Sequence, residues 1–441
     1  MKKHLIYPLI FSLCFGAAAQ TKTKNYIKVT TYRAPSTEGI TGNDTLVTVT
    51  YFDGLGRPEQ VVNVRAGGGG QDIVTPVMYD PFGRQPRQYL PFAATTQNGA
   101  IHPDPLAQAE AFFNVPKYGN TTNPYSEKIL ENSPLGRVMK QGAPGTPWLA
   151  DPLSDNDHSI KYRYDTNTAG EVRLYKVSLG PGYVPSLEEH GFYLGGRLYK
   201  TIIKDENWQP GDSLLHTSEE FKDLQGRVVL KRTYADLPGQ PQTPHDTYYV
   251  YDIYSNLTFV LPPKVDTSDG VSQKELNALC YQYVYDHRNR MVEKKLPGKE
   301  KEYIVYNKID QPVFTRDQHL ADQNKWLFSK YDGFGRVIYT GLYGSNLSRE
   351  ALQLEVDGHT PLYETKADTP TLIDGTEVYY DNSAFPHTGL EVLTINYYDT
   401  YDFDQGEDTL EKSYGITPII KPMTLATGNK TRVLGTDQWI T

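Results

Sequence analysis

One short stretch of the sequence combines two carboxylates with an imidazole, the groups that general acid–base catalysis uses most often. Glu188, Glu189 and His190 are consecutive. Adjacent side chains on a strand point to opposite faces, so both carboxylates cannot flank one glycosidic bond at the required separation. We therefore expect a solvated loop here, and a hydrolase is the third of three hypotheses for the function.

Two other segments have aspartates at spacings that resemble calcium ligands. They comprise Asp151, Asp155 and Asp157, and further along Asp399, Asp402, Asp404, Gly406 and Asp408. The second segment lacks the ligand order of an EF-hand loop, including the bidentate glutamate at its twelfth position. We expect solvated turns and predict no metal site and no cofactor, although the spacing leaves calcium binding open.

The remaining candidates for chemistry are weaker. Gly67–Gly70 is a glycine run without the Lys-Ser/Thr ending and the following helix of a phosphate-binding loop, which predicts a flexible connection between strands. The sequence contains neither a His-Glu-x-x-His pair nor a Gly-x-Ser-x-Gly elbow. Cys280 lies between Leu279 and Tyr281, where we expect a small buried apolar side chain. The prediction is that the chain is not an enzyme.

Charge and composition restrict the partners and indicate the fold class. The 441 residues carry a formal charge of −9 without a basic block, which does not favour nucleic acid or an anionic membrane surface. A hydrophobic fraction of 38% excludes a protein with many membrane spans. The 34 tyrosines, 37 glycines and 30 prolines indicate short, half-buried strands joined by tight turns. We predict an all-β, mainly antiparallel fold with a few short helices.

The first nineteen residues have the pattern of a secretory signal peptide. Lys2 and Lys3 precede an apolar segment, Leu5–Gly16, which is shorter than the roughly 20 residues of a spanning helix. Three alanines then predict cleavage between Ala19 and Gln20. A buried N-terminal strand is the alternative. Cleavage would leave a charge of −11 and a single cysteine, hence no internal disulfide. The predicted location is secreted or at the cell surface, with no membrane contact after cleavage.

A repeated hexapeptide, aromatic-Asp-x-x-Gly-Arg, is the strongest signal in the sequence. The repeats whose residues we assign to structural turns are Phe52, Asp53, Gly56 and Arg57; Tyr79, Asp80, Gly83 and Arg84; Asp223, Gly226 and Arg227; Tyr285, Asp286 and Arg290; and Tyr331, Asp332, Gly335 and Arg336. Weaker copies occupy residues 132–137, 251–256 and 306–311. From residue 222 onward successive copies start 21 to 34 residues apart, which predicts an irregular structural repeat.

One repeat is enough to predict a strand–turn–strand unit. Alternating tyrosines in Tyr281–Tyr285 predict a strand with an aromatic face, and Asp286 then suits the first position of a turn. Asn289 stands where other copies have glycine, at a position that favours a left-handed backbone. Met291–Lys295 and Glu302–Tyr306 are the next predicted strands.

Such a hairpin cannot bury its aromatic face alone, so we expect neighbouring units to stack. Arginine at the sixth position can stack on a neighbouring tyrosine ring or pair with an aspartate, giving a ladder along the stack.

Between the repeats, short helices and loops are expected. Asp104-Pro105 predicts a helix through Phe113, and Ser272 with Glu275 predicts a capping box that opens a helix to Cys280. Residues 141–147, 180–185 and 237–244 are rich in proline and glycine and predict loops. The repeat is weak over residues 345–392, which indicates an insertion.

These repeats resemble the units of RHS/YD-repeat proteins. The resemblance is densest over Leu279–Val337, and the stretches Tyr51–Pro58 and Asp72–Phe92 are similar to the uncharacterised domain at the front of secreted members. The resemblance implies a β-strand ribbon that spirals into a hollow shell, which in several branches encloses a C-terminal toxin. The terminal core with its Asp-Pro-x-Gly signature and catalytic aspartates is not found here, so self-cleavage and toxin activity are not carried over to this chain.

The resulting division is a signal peptide at 1–19, an uncharacterised β-rich domain at 20–155 with the first repeats, and a repeat-shell segment at 156–441. The first functional hypothesis is a non-enzymatic, exported structural protein, the N-terminal part of a shell that encloses or presents a polypeptide effector. Its expected partner is the C-terminal shell and effector polypeptide. The second hypothesis is an extracellular module that binds glycans or another cell's surface through exposed aromatic side chains.

Overall fold

The computed structural model describes residues 23–33, 45–237, 239–403 and 419–441. The described residues are mostly antiparallel β-structure with a few short helices, so the all-β prediction is confirmed. The predicted cleavage site at Ala19 and Gln20 lies outside the described residues, as do Asp404, Gly406 and Asp408.

The strands are numbered here in chain order. The first nine are β1 Asn25–Tyr32, β2 Thr45–Phe52, β3 Pro58–Val64, β4 Ile73–Pro76, β5 Arg87–Tyr89, β6 Phe92–Ala93, β7 Tyr125–Leu130, β8 Val138–Gly142 and β9 Ile160–Thr166. The next nine are β10 Arg173–Leu179, β11 Pro185–Phe192, β12 Tyr199–Lys204, β13 Thr217–Lys222, β14 Val228–Leu237, β15 Gln240–Tyr251, β16 Leu257–Leu261, β17 Tyr281–Tyr285 and β18 Met291–Lys295. The last nine are β19 Glu302–Tyr306, β20 Pro312–Arg316, β21 Lys325–Tyr331, β22 Val337–Gly344, β23 Lys366–Ile373, β24 Thr376–Tyr380, β25 Leu390–Tyr398, β26 Ala426–Arg432 and β27 Trp439–Ile440.

Four α-helices interrupt the described strands: α1 Pro105–Phe113, α2 Gln273–Leu279, α3 Gln318–Asp322 and α4 Arg349–Gly358. Both predicted helix starts are confirmed. Asp104 caps α1 by accepting a hydrogen bond from the Ala107 amide, and Ser272 and Glu275 form the reciprocal capping box of α2. The loop prediction for residues 237–244 is wrong in part, because β15 already begins at Gln240. None of the helices in the described parts of the chain is long and apolar enough to cross a membrane.

The chain divides into two compact units. The first contains the described residues up to Asp165 together with Tyr199–Glu220 and Arg232–His245. It includes an antiparallel sheet in the order β1-β2-β3-β4-β6 and an antiparallel run β5-β7-β8-β9. Its core is an apolar cluster around Val49, Tyr51 and Val62, which are all fully buried.

The second unit contains Thr166–Leu198, Phe221–Lys231 and the residues from Asp246 onward. From β15 to β22 each strand pairs antiparallel with the next one in the chain. β22 then pairs with β25, and the intervening residues contain α4 and the β23–β24 hairpin. Most strands of this unit from β15 onward therefore pair with the strand that precedes or follows them in the sequence.

On β17 and β19 the buried residues are valines rather than tyrosines, which corrects the expectation of a buried tyrosine face on these strands. On β17 Val284 is buried whereas Tyr281 is exposed, and on β19 Val305 is buried between half-buried tyrosines. The aromatic part of the core comes instead from Phe314, Trp326, Phe328 and other residues of one large cluster. A tyrosine hydroxyl needs a hydrogen-bond partner, so these rings lie at the half-buried rim, where such partners are available.

Candidate functional site: a ladder of aspartate turns

Each clean copy of the hexapeptide forms the same turn around its aspartate. Asp53 Oδ1 accepts hydrogen bonds from the backbone amides of Leu55 and Arg57, and Asp53 Oδ2 accepts one from Arg57 Nε. The Asp53 backbone amide in turn donates to the Arg57 carbonyl, and the Gly56 amide donates to the Asp53 carbonyl. One carboxylate therefore organises both the backbone of the turn and the arginine that leaves it.

The pattern repeats almost without variation along the sequence. The three side-chain bonds measure 2.6–3.0 Å in every turn built on Asp53, Asp80, Asp223, Asp286 and Asp332. Each aspartate also forms an ion pair with the arginine four residues on: Arg57, Arg84, Arg227, Arg290 and Arg336. The carboxylates thus act as acceptors within their own turns.

The fifth residue of the hexapeptide lies in the left-handed region of the backbone. The φ angles are 77° at Gly56, 76° at Gly83, 81° at Gly226, 58° at Asn289 and 80° at Gly335. Glycine takes this conformation without a steric penalty, and asparagine tolerates it better than most residues. The register of the strands shifts at these turns, for example between Val284 and Tyr285, which is typical of a turn that ends in a bulge.

The weaker sequence copies keep the geometry with fewer charges. Asp252 binds the amides of Tyr254 and Asn256, and Asn307 binds the amides of Ile309 and Gln311. In the copy at residues 132–137 the acid is Glu131, one residue before the expected start, and it binds Arg137 through Nε and Nη2. Sequence inspection missed Glu131 because a longer side chain and a longer turn replace the aspartate. The sequence did contain a signal, because an acidic residue stands two positions before the segment Ser133-Pro134-Leu135-Gly136-Arg137.

Several turns are joined to the turn before them through a tyrosine that directly precedes an aspartate or asparagine. Its hydroxyl donates to the carbonyl of the residue that follows the previous turn, at 2.8–3.1 Å. The pairs are Tyr164 with Val138, Tyr251 with Val228, Tyr285 with Leu257, Tyr306 with Met291, Tyr331 with Pro312 and Tyr398 with Val337. Tyrosine at this place is therefore a connector between neighbouring hairpins.

The arginine of one turn lies over the tyrosine ring of the next. Guanidinium carbon to ring-centre distances are 4.3–5.0 Å for Arg57 with Tyr79, Arg137 with Tyr164, Arg227 with Tyr251, Arg290 with Tyr306, and Arg336 with Tyr398. Such a contact is worth about 0.5–1 kcal/mol at an exposed site. Each of these arginines therefore makes both of the predicted contacts. Its guanidinium pairs with the acid of its own turn and stacks on the tyrosine ring of the next turn.

The sixth residue of one turn also meets the fifth residue of the next turn. Arg290 Nη1 lies 2.9 Å from Asp310 Oδ1, Arg227 Nη1 donates to Ser255 Oγ at 3.0 Å, and Asn256 Nδ2 donates to Asn289 Oδ1 at 3.1 Å. The same closeness holds for the turn whose fifth residue is Gly335. A Cβ atom added to this glycine would lie 3.3 Å from Nε2 of Gln311, the sixth residue of the turn before it. We call the whole set of turns, connecting tyrosines and arginines the turn ladder; each unit contains its own series.

Arg336 extends the ladder of the second unit to a member that the repeat did not identify. Besides Asp332, it donates from Nη1 and Nη2 to both carboxylate oxygens of Asp399, at 3.1 and 2.7 Å. Asp399 also accepts from the Thr424 amide. These hydrogen bonds raise the pKa of Arg336 and lower the pKa of Asp399. Asp399 therefore binds an arginine. Asp402 is the other described residue of this aspartate-rich segment, where the sequence predicts solvated turns and leaves calcium binding open.

Hydrogen bonds within the turn lower the pKa of Asp53, Asp80, Glu131 and Asp286. The Arg57 backbone amide, with the other hydrogen bonds of the turn, holds the pKa of Asp53 below its ordinary value of 3.8. At Glu131, hydrogen bonds from Arg137 and Ser133 lower the pKa from 4.5 to about 2. Partial burial works to raise the pKa of Asp286, but Arg290 and the backbone amides outweigh it and lower the pKa. Acids of this kind hold structure and do not donate protons near neutral pH.

The aspartates at 151–157 bind ammonium groups. Lys140 Nζ lies 2.8 Å from Asp155 Oδ1 and donates to the Asp151 and Ser154 carbonyls, at 2.9 and 2.6 Å. Lys161 Nζ lies 2.9 Å from Asp157 Oδ1. Two lysines therefore occupy the place that a cation would take. Across the described ranges no group of three or more His, Cys, Asp or Glu side chains could hold a metal ion.

The side chains of Glu188, Glu189 and His190 form ion pairs, and Cys280 is buried. The loop expected at Glu188–His190 is wrong, because these exposed residues lie in the strand β11. Glu188 and His190 are paired at 3.2 Å, whereas Glu189 pairs with Arg173 on β10. The two carboxylates are thus directed to different partners, as their adjacency on a strand requires. Cys280 is fully buried, as expected, and burial raises the pKa of its thiol to about 12. A thiol with such a pKa is a poor nucleophile at neutral pH.

Comparison with known proteins adds a domain family at the front of the chain. Residues 22–166 match DUF6443, a domain of unknown function. None of the curated proteins matches the sequence. This segment includes the first turns of the ladder and contains the stretches Tyr51–Pro58 and Asp72–Phe92.

Among solved structures, the chain is similar to those of TcdB2-TccC3. The crystal structure of TcdB2-TccC3 matches with a TM-score of 0.43 and 12% identity, and that without the hypervariable C-terminal region with 0.42 and 12%. The crystal structure of TcdB2-TccC3-Cdc42 matches with a TM-score of 0.43 and 13% identity. In each case the match covers 80% of this chain and 17% of the other, so the chain spans about a sixth of the length of these proteins.

Proposed function

We propose that this chain is a non-enzymatic, exported structural protein that forms the N-terminal part of an RHS/YD-repeat shell, which encloses or presents a polypeptide effector. The turn ladder is the observation that carries the proposal. Its tyrosines and arginines connect each hairpin to the next, so the ladder can hold a long antiparallel wall together without a disulfide.

The energetics of the ladder favour a wall over a reactive site. The turns built on Asp53, Asp80, Asp223, Asp286 and Asp332 bind their own backbone amides through a carboxylate, and hydrogen bonds to a charged group contribute about 1.5–3 kcal/mol. The same carboxylates accept from arginines, so they are not open to a substrate. Repeated local contacts of this kind stabilise arrays in which each unit depends on its neighbours.

The proposed partner is the polypeptide that completes the shell or lies inside it, either as further residues of the same product or as a second chain. Export follows from the signal-peptide pattern of residues 1–19 and the cleavage expected between Ala19 and Gln20. After cleavage the chain would be secreted or held at the cell surface. We propose no nucleic-acid partner, since the sequence has a formal charge of −9 and no basic block.

The experiment that tests this function is protease protection. Sequencing the reading frame beyond codon 441 identifies the continuing or following polypeptide, which is then produced with and without residues 20–441. We expect that polypeptide to resist proteinase K only when the present chain accompanies it. Equal digestion in both preparations would contradict the shell proposal.

A matched variant shows whether the ladder is responsible. Replacement of Arg290 by Ala removes contacts with Asp286, Asp310 and Tyr306, so it should weaken protection. Replacement of Arg163, an exposed arginine on β9 that pairs with Asp165, should leave protection unchanged.

One observation favours the second candidate, an extracellular module that binds glycans or a cell surface. The fourth residue of several turns is apolar and exposed: Leu55 78%, Phe82 82%, Leu135 74%, Ile309 52% and Phe334 83%. Exposed aromatic side chains can stack on sugar rings or contact another protein. Binding to a glycan array or to whole cells that is lost with Phe82→Ser and Phe334→Ser would support this function. Failure of the chain to bind either would count against it.

A further inference from the structure

Four polar side chains meet at the edge of the apolar core of the second unit, where three are buried and Asn382 is half-buried. Lys330 is on β21, Tyr339 is on β22, Glu364 precedes β23, and Asn382 follows β24. The exposed fractions are 3% for Lys330, 0% for Tyr339 and 1% for Glu364. A lysine and a glutamate are almost never buried so completely unless each has partners. The turn ladder uses none of these four side chains.

The lysine amine touches both an acid and an amide. Lys330 Nζ lies 2.6 Å from Glu364 Oε1, 2.6 Å from Asn382 Oδ1 and 2.7 Å from the Ala384 carbonyl oxygen. A carbonyl bond is about 1.2 Å long, so Asn382 Cγ is at most about 3.8 Å from the amine nitrogen. Reacting atoms in near-attack arrangements are about 3–3.5 Å apart. The amine is therefore within a small side-chain movement of the amide carbon.

The amide itself is held from both ends. Tyr339 donates its hydroxyl hydrogen to Asn382 Oδ1 at 3.0 Å, and Asn382 Nδ2 donates to the His387 carbonyl at 2.8 Å. A donor on the carbonyl oxygen polarises the bond and stabilises the negative charge that develops there during attack. The second hydrogen bond fixes the nitrogen that would leave. This arrangement brings together a buried amine, an oriented amide and a buried oxyanion donor.

Burial also favours the uncharged forms that the reaction needs. It lowers the pKa of Lys330 and raises the pKa of Glu364, although their mutual attraction opposes both shifts. Transfer of one proton from the ammonium to the carboxylate converts the ion pair into a neutral amine and a carboxylic acid. A neutral amine has the free electron pair that attack on a carbonyl requires.

We propose that Lys330 and Asn382 form an intramolecular isopeptide bond, with Glu364 as the proton carrier and Tyr339 as the oxyanion donor. The new bond joins Lys330 Nζ to Asn382 Cγ, and the bond that breaks is that between Asn382 Cγ and Nδ2. One ammonia is released for each bond formed, and no atom is oxidised or reduced. The reaction therefore needs no oxidant, cofactor or second protein.

The proton path follows the observed contacts. Glu364 first takes a proton from the lysine ammonium. As the amine attacks, Tyr339, which lies 3.2 Å from Glu364 Oε1, passes a proton toward Asn382 Oδ1 while it receives one from the acid. The carboxylate then removes a second proton from the new bond's nitrogen and delivers it to the departing Nδ2. As ammonia leaves and the carbonyl re-forms, the proton on Oδ1 returns through Tyr339 to Glu364. The five exchangeable hydrogens of the starting lysine and asparagine side chains then end as one on the new bond's nitrogen, three on ammonia and one on Glu364.

Such a bond would tie β21 to the loop after β24, across the segment that separates β22 from β25. It would provide a covalent connection in a chain whose described cysteine, Cys280, is free and buried. This inference does not depend on the enclosed partner, because the reacting groups all belong to this chain.

Peptide mapping by mass spectrometry tests the bond in the full chain. We expect a tryptic product in which the peptide Trp326–Arg336 is joined to the peptide that contains Asn382, with a mass lower by one ammonia than the two peptides together. Mapping is needed in addition to the intact mass, because an N-terminal Gln20 can also lose ammonia by cyclisation. Recovery of both peptides unjoined from the folded wild-type chain would overturn the proposal.

Variants distinguish formation of the isopeptide bond from a non-covalent ion pair between Lys330 and Glu364. Asn382→Ala removes the electrophile and Glu364→Gln removes the proton carrier with little change of shape, so both should yield only unjoined peptides. Asn277→Ala, an exposed asparagine on α2, is the matched control and should retain the joined product. If Glu364→Gln does not fold, Tyr339→Phe provides the second variant, in which the joined fraction should rise more slowly after synthesis. A joined product at unchanged rate in Tyr339→Phe or in Glu364→Gln would contradict the assigned roles.

Discussion

The turn ladder and the buried cluster around Lys330 place charged groups in opposite surroundings. In the turn of Asp53 the carboxylate is part of a half-exposed hairpin end and serves residues within four positions of itself. Glu364, in contrast, is 1% exposed and binds Lys330, which is 34 residues away in the chain. One arrangement recurs many times along the chain, and the other joins distant segments at one place.

The difference shows that the effect of an ion pair on the free energy of unfolding depends on how deeply the pair is buried. Exposed ion pairs contribute about 0–1 kcal/mol each, so a ladder gains stability mainly from its backbone hydrogen bonds and its repetition. Breaking a buried pair leaves an uncompensated charge and costs about 3–5 kcal/mol. The ladder should therefore tolerate single changes better than the cluster does.

The largest effect is expected in the cluster. In an Asn382→Ala background, where the proposed isopeptide bond cannot form, Glu364→Ala leaves the Lys330 ammonium without its carboxylate in an apolar core and should lower the free energy of unfolding by about 3–5 kcal/mol. Replacing Lys330 by Met together with Glu364 by Leu removes both charges and should cost clearly less than Glu364→Ala alone. Urea unfolding followed by circular dichroism measures both. An equal loss in the two variants would show that the unpaired charge is not the cause.

A single turn of the ladder should show the next largest effect. Asp286→Ala removes the acceptor of two backbone amides and of Arg290, so we expect a loss of about 2 kcal/mol in the free energy of unfolding. Asp269→Ala changes an exposed aspartate outside the turns and is the control, with an expected change within about 0.5 kcal/mol. If the two variants unfold at the same urea concentration, the carboxylate does not organise the turn.

The contact between turns is expected to contribute less than the turn itself. Tyr306→Phe removes the hydrogen bond from the tyrosine hydroxyl to the Met291 carbonyl but keeps the ring under Arg290, so the loss should be about 1 kcal/mol. Tyr281→Phe, at an exposed ring, should change the unfolding midpoint very little. A similar midpoint for both phenylalanine variants would mean that the ring alone connects the hairpins.

The smallest effect should appear as a pH dependence. The folded pKa of Glu131 is about 2, below its ordinary value of 4.5, so the unfolded chain binds the proton more readily between these values. The stability that Glu131 contributes is therefore present above pH 4.5 and is lost as the pH falls toward 2. Thermal unfolding of the wild type and of Glu131→Gln should give midpoints that differ at pH 6 and converge on acidification. A gap that stays constant with pH would exclude the charge of Glu131 as its source.

Local features of this protein follow from sequence spacing to within a residue. The strands Tyr281–Tyr285, Met291–Lys295 and Glu302–Tyr306 have the predicted bounds, and the two capped helices begin where their caps predict. Each depends on hydrogen bonds or backbone preferences within a few residues. Such preferences act in the same way wherever the segment lies in the fold.

Other features could not be predicted because they depend on residues far apart in the chain. Alternation alone placed the tyrosines of β17 on the buried face, but burial favours Val284, whose side chain carries no hydroxyl that needs a partner. Asp399 had the spacing of a calcium ligand, yet it pairs with Arg336, which is 63 residues earlier. Glu131 was missed because a glutamate with a longer turn reproduces the geometry of an aspartate.

By itself, the sequence determined the all-β class, the hexapeptide turns and the identity of the residues that form them. Those choices rest on short-range chemistry: an aspartate that binds amides two and four residues ahead, a fifth residue that accepts a left-handed backbone, and an arginine placed to reach both. Only the tertiary structure decided which ring each arginine covers, which strand face is buried, and that Lys330, Tyr339, Glu364 and Asn382 meet. Contacts over 34 to 52 residues depend on how β21, β22 and the segments before β23 and after β24 pack, and no local pattern encodes that packing.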